Sequence, residues 1–290
     1  MRNFVDSHVE YIVPTDVENE KLNSLDDKYL FYSEMSQQER EFLNSLVLRN
    51  KPKKLLELGP SCGSSSIVIL NAIKNYDAFL FSIDWKTHNF RFPSMLNGFC
   101  VEDYPELKTK WKLYTGSLAY SFLDEIGDGI DFVFLDTYHS APGEILDYLM
   151  FLPYLSDDAV IVIHDTNLHT MDSTSFWSKM HYINNMLLNC IYGKKFALGC
   201  FLKSESIFPF SNIGGVKICS ETKTRLFEIF NLLTHRWQYL FSEKENQELT
   251  EFILSKYGDE YAKYFKEILA YQIKQYKKDP VHKIDDSIFL

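Results

Sequence analysis

Residues 55–66 read Leu-Leu-Glu-Leu-Gly-Pro-Ser-Cys-Gly-Ser-Ser-Ser. A short apolar run, two glycines spaced G-x-x-x-G and three consecutive serines describe a buried strand, a tight turn and a helix start. Four more apolar runs follow, at 79–83, 111–115 (weaker), 131–135 and 159–164. The fourth and fifth are continuous, as central strands of a parallel sheet buried on both faces must be. Between them, Ile145, Leu146, Leu149 and Leu152 set a helical spacing within 142–155. Strand–helix alternation of this kind defines an α/β fold with a doubly wound, mostly parallel sheet and right-handed crossovers.

The flanks differ from this core. Residues 1–32 have mixed polarity and weak periodicity, an irregular or partly helical arm. Ser36-Gln37-Gln38-Glu39 is a capping box, and Phe42, Leu43, Leu46 and Val47 continue it as a helix to about Arg49. After Asp165 comes a polar stretch to Ser175, a helix from 176 to 190, and two more strands at 196–202 and 214–218, seven in all. From Thr222 amphipathic helices are expected at 223–241, 246–256 and 260–277, with Phe227, Phe230, Leu233, Trp237 and Leu240 as one apolar stripe. The expected division is an arm at 1–35, a sheet domain at 36–220 and a helical extension at 221–290. That extension packs on the sheet domain, or serves as a lid or a homodimer contact.

Composition excludes several classes. The 290 residues carry 30 Lys and Arg against 40 Asp and Glu, a net charge of -10. That balance disfavours nucleic acid, whose phosphates need clustered cations. Five scattered cysteines with no C-x-x-C pair suit reduced thiols in a cytoplasm, and neither a disulfide framework nor a zinc site. No apolar run approaches the roughly 20 residues of a membrane span, and Asp6, Glu10 and Asp16 occupy the start without a signal-peptide core.

Ligands of such sheets bind outside the carboxyl ends of the strands. Glu57, Asp84, Asp136 and Asp165 fall at or just past four such ends. Gly59 and Gly63 allow close backbone approach, and Ser64, Ser65 and Ser66 open a helix whose N–H groups and hydroxyls can hold a carboxylate. Glu57 can accept from an amine, Asp84 can grip ribose hydroxyls, and Gly116-Ser117 stands where an adenine edge would lie. Trp85 can cover the adenine face. An ammonium, a carboxylate and a nucleoside together are S-adenosylmethionine (SAM). The glycine spacing is not the G-x-G-x-x-G of dinucleotide sites.

At these residues the chain resembles motif I of class I SAM-dependent methyltransferases. Leu-Glu-Leu-Gly-Pro-Ser-Cys-Gly-Ser-Ser is most similar to catechol-type, metal-dependent O-methyltransferases, over about 36–218 and best over 54–167. The resemblance implies that Glu57 and Ser65 hold the methionine end of SAM, Asp84 the ribose and Ser117 the adenine. In that family the first acid after the fourth strand binds metal, and a Lys three residues later is the base. In the related macrocin-type sugar O-methyltransferases that later residue is a His, and Asp136-Thr137-Tyr138-His139 matches this form. His139 is then the general base, its ordinary pKa suited to neutral pH. The fifth strand departs from the family, reading His164-Asp165-Thr166-Asn167 where the pattern has Asp followed directly by Asn. Either His164 with Asp165, or Asp165 with Asn167, takes its place. The expected metal ligands are Asp136, His164 and Asp165, for Mg²⁺ or, with a histidine, a softer divalent cation. Tyr138, His169 and Trp177 flank these elements and are candidates for the acceptor pocket.

The expected function is therefore SAM-dependent O-methylation of a small hydroxylated acceptor: a sugar, a polysaccharide precursor or a natural-product intermediate. Asp136, His139 and Asp165 are the catalytic candidates. N-methylation, or a reaction of the cephalosporin-hydroxylase-like relatives, is the alternative within the fold. A non-catalytic SAM-binding protein and an NAD-dependent oxidoreductase are the alternatives of other classes.

Overall fold

Every apolar run of the sequence becomes a strand of one sheet. The computed structural model describes residues 9–25, 27–170, 182–199 and 212–278. Its strands in chain order are β1 (Glu10–Ile12), β2 (Lys54–Leu58), β3 (Phe79–Asp84), β4 (Trp111–Thr115), β5 (Ile130–Leu135), β6 (Leu155–His164), β7 (Lys194–Leu198) and β8 (Ile213–Lys217). They lie in the order β1-β7-β8-β6-β5-β2-β3-β4. All neighbours run parallel except β8, which is antiparallel to both β6 and β7. β2 has β3 on one side and β5 on the other. The order of strand addition reverses there, and the carboxyl ends of the strands flank a crevice.

The helices are α1 (Asp16–Asn23), α2 (Gln37–Asn50), α3 (Ser64–Ile73), α4 (Pro105–Lys108), α5 (Tyr120–Ile126), α6 (Gly143–Phe151), α7 (Ile183–Cys190), α8 (Leu226–Leu232), α9 (Glu243–Tyr257) and α10 (Asp259–Lys278). Side chains alternate faces along each strand, so the sheet has two cores. Leu55, Phe132, Phe134, Val160 and Val162 pack with α2 and α3 on one face. Leu56, Leu58, Val133, Leu135, Ile161 and Ile163 pack with α5, α6 and the C-terminal helices on the other.

Three expectations change. The sheet has eight strands among the described residues, not seven, because the N-terminal arm adds β1 alongside β7. Three residues are too short a run for period-2 alternation to register. Arg49 then ties the arm down, its Nε and Nη2 donating to Glu18 at 2.7 and 2.8 Å. The helix expected at 223–241 ends at Leu232. The buried Gln272 of α10 donates through Nε2 to the carbonyls of Leu233, Thr234 and His235 and accepts from Trp237 N–H, holding the chain in a non-helical turn. The single stripe breaks accordingly: Phe230, Leu233 and Trp237 are buried, but Phe227 is 59% exposed. The helix expected from 176 is seen from Ile183 onward, with Tyr182 before it, and the strand expected to reach 202 ends at Leu198, with Gly199 after it; residues 176–181 and 200–202, Trp177 and Cys200 among them, lie outside the described residues. No described helix is long and apolar enough to cross a membrane.

Candidate active site

The glycine turn after β2 brings two strand ends into backbone contact. Gly59 has φ +83°, and a Cβ there would lie 1.9 Å from the Asp136 carbonyl oxygen. Gly59 N–H donates to the Ile83 carbonyl, and Asp136 N–H donates to the Leu58 carbonyl. One glycine thus lets β2, β3 and β5 end side by side. Gly63, φ +95°, caps α3, and its own Cβ would meet Val101 and Gly98 at 3.0–3.2 Å.

Glu57 and Ser65 meet beneath the glycine turn. Glu57 is fully buried beneath the turn. Its carboxylate accepts from Ser65 Oγ at 2.6 Å, Ser66 Oγ at 2.5 Å and Ser82 Oγ at 2.6 Å. Trp111 Nε1 donates to Ser82 behind it. Burial pushes the Glu57 carboxyl up, against the pull of the three hydroxyls. These three hydroxyls tie it to α3 and β3, so it braces the turn from beneath. What this segment offers a ligand is backbone, together with Ser64.

Asp84 ends β3 at the carboxyl edge of the sheet. Its Oδ1 accepts from Lys86 N–H at 2.9 Å. Burial pushes its carboxyl up to about 6. Gly116 N–H donates back to the Asp84 carbonyl at 3.2 Å, so Ser117 follows directly beside Asp84. The Trp85 ring stands 6.3 Å from Phe241, edge-on. Phe241, Tyr239 and Tyr138 continue this as an aromatic row, with centroid spacings of 5.3 and 4.9 Å. The C-terminal segment therefore supplies part of the crevice rim.

β5 and β6 are paired, and their ends carry the charged centre. His139 Nε2 lies 3.0 Å from Asp165 Oδ2 and 3.8 Å from Asp136 Oδ1. Ligand atoms of Asp136, His139 and Asp165 all fall within 4.8 Å of one another. His139 and Asp165 have φ of 58° and 55°. Non-glycine residues rarely hold this conformation, and where they do it commonly serves a site. Burial would lower the His139 imidazole, but Asp165, Glu144 and Asp136 outweigh it and raise its pKa well above the histidine range. Asp165 is held well below the carboxylate range, because His164 and His139 outweigh the opposing effect of burial.

His164 is placed differently from the expected ligand set. It sits behind the acids, 2% exposed, with Nδ1 3.2 Å from Asp136 and 3.5 Å from Asp165. The group able to surround a cation contains His139 in its place. Asp165 and Asn167, the alternative pair, are joined through a third residue. Asn212, at the edge of β8, bridges them: its Nδ2 donates to Asp165 Oδ1 and its Oδ1 accepts from Asn167 N–H. His169 lies in the turn Leu168–Thr170, outside the group.

Sequence reading missed four residues here. Glu39 was visible only as part of a capping box, yet its Oε2 faces His164 Nε2 at 3.6 Å. Glu144 of α6 accepts from His139 N–H and lies 3.4 Å from its Nδ1. Asn212 had no signal at all. Glu34, paired with Arg91 at 3.0 Å, stands at the crevice mouth, where the enclosing walls and Asp136 raise its carboxyl.

Comparisons agree with this architecture. Residues 56–166 match a family model described as a methyltransferase domain. The methyltransferase PaMTH1 of Podospora anserina, solved with SAH, is 14% identical; the match covers 72% of this chain and 99% of that one at TM-score 0.50, a shared fold. The O-methyltransferase TomG of Streptomyces achromogenes, solved with SAM, is 15% identical over 72% of this chain and 92% of that one, TM-score 0.47. No curated protein matches the chain. Strand order and the crevice at the carboxyl ends of the strands agree with a methyltransferase-like fold over the matched segment. The matched segment, 56–166, runs from β2 through Asp136 and His139 to Asp165 and Thr166.

Proposed function

We propose that the protein transfers a methyl group from SAM to a hydroxyl of a small molecule, with His139 as the general base. The observation that carries this is His139 Nε2 at 3.0 Å from Asp165, at the ends of the two strands beside the glycine turn. Gly59, Gly63 and Ser64 present backbone to the methionine end of SAM. Asp84 accepts from the ribose, and Trp85, Gly116 and Ser117 flank the adenine.

Methyl transfer is an in-line displacement in which positioning does most of the work. Carboxylates around it raise the His139 pKa, so the neutral form that can act as base gains weight as pH rises. Nε2 of that form takes the acceptor's hydroxyl proton as its oxygen bonds the methyl carbon and the carbon–sulfur bond breaks. Asp165 stabilises the imidazolium so formed, and Glu144 fixes the ring. The products are a methyl ether and S-adenosylhomocysteine (SAH).

Two carboxylates and an imidazole within 4.8 Å also suit a divalent cation. Asp136 and Asp165 would hold it, with His139 facing both. Such an ion, when bound, lowers the pKa of a hydroxyl on it.

The acceptor is a sugar, a polysaccharide precursor or a natural-product intermediate, on the D-x-x-H likeness to macrocin-type enzymes. The test is thermal-shift titration with SAM, SAH and NAD, followed by methyl transfer from labelled SAM to a panel of hydroxylated acceptors. Stabilisation by SAM and SAH with label in an ether product is the expected result. Stabilisation by NAD alone, or transfer that survives loss of both Asp136 and His139, overturns it.

A further inference from the structure

His164 occupies a place that a simple ligand would not. It is buried behind Asp136 and Asp165, touching both through one ring nitrogen at 3.2 and 3.5 Å. Its other nitrogen faces Glu39 Oε2 at 3.6 Å. Glu39 is 4% exposed and comes from α2, on one face of the sheet, far from either acid in sequence. The same Oε2 accepts from Ser36 N–H at 2.6 Å, closing the capping box that starts α2. Asn184 Nδ2 donates to the His164 carbonyl at 2.9 Å, so the backbone of this residue is held too. Asp136 and Asp165 end different strands and carry like charges that drive them apart. One imidazole spans both, and a carboxylate anchored at a helix N-terminus faces its other nitrogen at ion-pair distance.

We propose that Glu39 and His164 form a positioning pair that sets the spacing of Asp136 and Asp165 for a divalent cation. This rests on the proposed cation at those two acids. Neither residue touches the acceptor or the ion; both act through the carboxylates in front of them. Outer partners of this kind commonly matter to metal affinity nearly as much as the ligands.

The probe is Mn²⁺ binding to the full chain with SAH present, read from the electron paramagnetic resonance of free Mn²⁺. Glu39→Gln is the principal variant, since Gln serves a capping box as well as Glu does. It removes the charge facing His164 and keeps the helix start. Mn²⁺ affinity is expected to fall by about 10–100-fold, with SAH affinity unchanged. His164→Gln approaches the same contact from the other side and is expected to match it, so one folded variant of the two suffices. Ser36→Ala is the control: it breaks the cap and lowers the melting temperature, and Mn²⁺ affinity is expected to stay at the wild-type value.

Wild-type Mn²⁺ affinity in folded Glu39→Gln or His164→Gln overturns the pair. So does a Ser36→Ala loss as large as that of Glu39→Gln, which assigns the effect to helix stability. A wild-type chain that binds SAH but no Mn²⁺ removes the cation from the proposed function and this inference with it, leaving SAM binding intact.

Discussion

The Glu144 carboxylate holds His139 from behind, accepting from its backbone N–H and lying 3.4 Å from its Nδ1. Glu144 is fully buried at the start of α6, on an element that the strand-end loop must pass. With Nδ1 facing Glu144, the opposite nitrogen, Nε2, is the one turned to Asp165 and the crevice. Carboxylates at both ring nitrogens favour the imidazolium, so Glu144 orients the ring while the neutral form able to act as base gains weight as pH rises. Glu144→Gln is expected to lower kcat by about 10–100-fold with SAH affinity unchanged, measured by steady-state kinetics and calorimetry. Equal losses in kcat and SAH affinity would mean that Glu144 supports the fold rather than the base.

His139 faces both acids, so its role as base must be separated from a role as ligand. A base contributes about 10²–10⁴-fold to a proton-transfer step. His139→Ala is expected to lose methyl transfer by about that factor, while SAH binding stays within twofold or so and Mn²⁺ binding survives on Asp136 and Asp165. Loss of Mn²⁺ binding in this variant would make His139 a ligand and vacate the base position.

Much of this centre was legible, for a physical reason. Asp136 and Asp165 interrupt continuous apolar runs, and a charge ending a buried strand has few places to go except a crevice. His139 followed from the D-x-x-H resemblance to macrocin-type enzymes. Glu144 and Asn212 stayed hidden because they reach the site from other elements, and one sequence does not say which helix face or strand edge meets which loop. The surroundings of Glu57 were hidden as well. It has the position of a ligand-binding acid, but Ser65, Ser66 and Ser82 take its oxygens inside the protein. Two of those serines lie on α3 and one on the neighbouring strand β3, a convergence that only the folded chain reveals.

Asp84 links cofactor binding to stability. Its carboxyl is pushed from 3.8 up to about 6, chiefly by burial, with Glu57 adding to it and the N–H of Lys86 opposing. A folded pKa above the unfolded one means that the folded state binds the proton more tightly. The charged form therefore costs stability: nothing below the ordinary carboxylate range, more as pH rises, and the full amount above about pH 6. After allowance for solvent at the crevice, the cost at pH 8 is about 2 kcal/mol. Asp84→Asn is expected to raise the unfolding free energy of the ligand-free chain by about that much at pH 8 and by little at pH 4. The same change weakens SAH binding by about tenfold or more, the worth of a charge-assisted hydrogen bond. Urea unfolding at the two pH values, with SAH titration beside it, checks both halves. An Asp84→Asn variant less stable than wild type at pH 8 would contradict the burial argument.

Gln272 decides where the C-terminal helices turn. It falls in register with Ala262, Phe265 and Ile268 on the buried face of α10, a polar residue in an apolar stripe. Its amide serves four backbone groups between Leu233 and Trp237, at 2.8–3.2 Å. Trp237 Nε1 also donates to the Leu233 carbonyl, so that group keeps one partner without Gln272. Thr234, His235 and the Trp237 N–H lose theirs in Gln272→Leu. An orphaned backbone group costs about 1–3 kcal/mol when buried and less where water reaches it. With Thr234 exposed and His235 partly so, the expected loss is about 2–4 kcal/mol, read as a lower urea midpoint at unchanged m-value. Tyr239 and Phe241 follow this turn directly and reach Tyr138 and Trp85. The folded variant is therefore also expected to bind SAH more weakly, and full SAH affinity would separate the turn from the crevice rim.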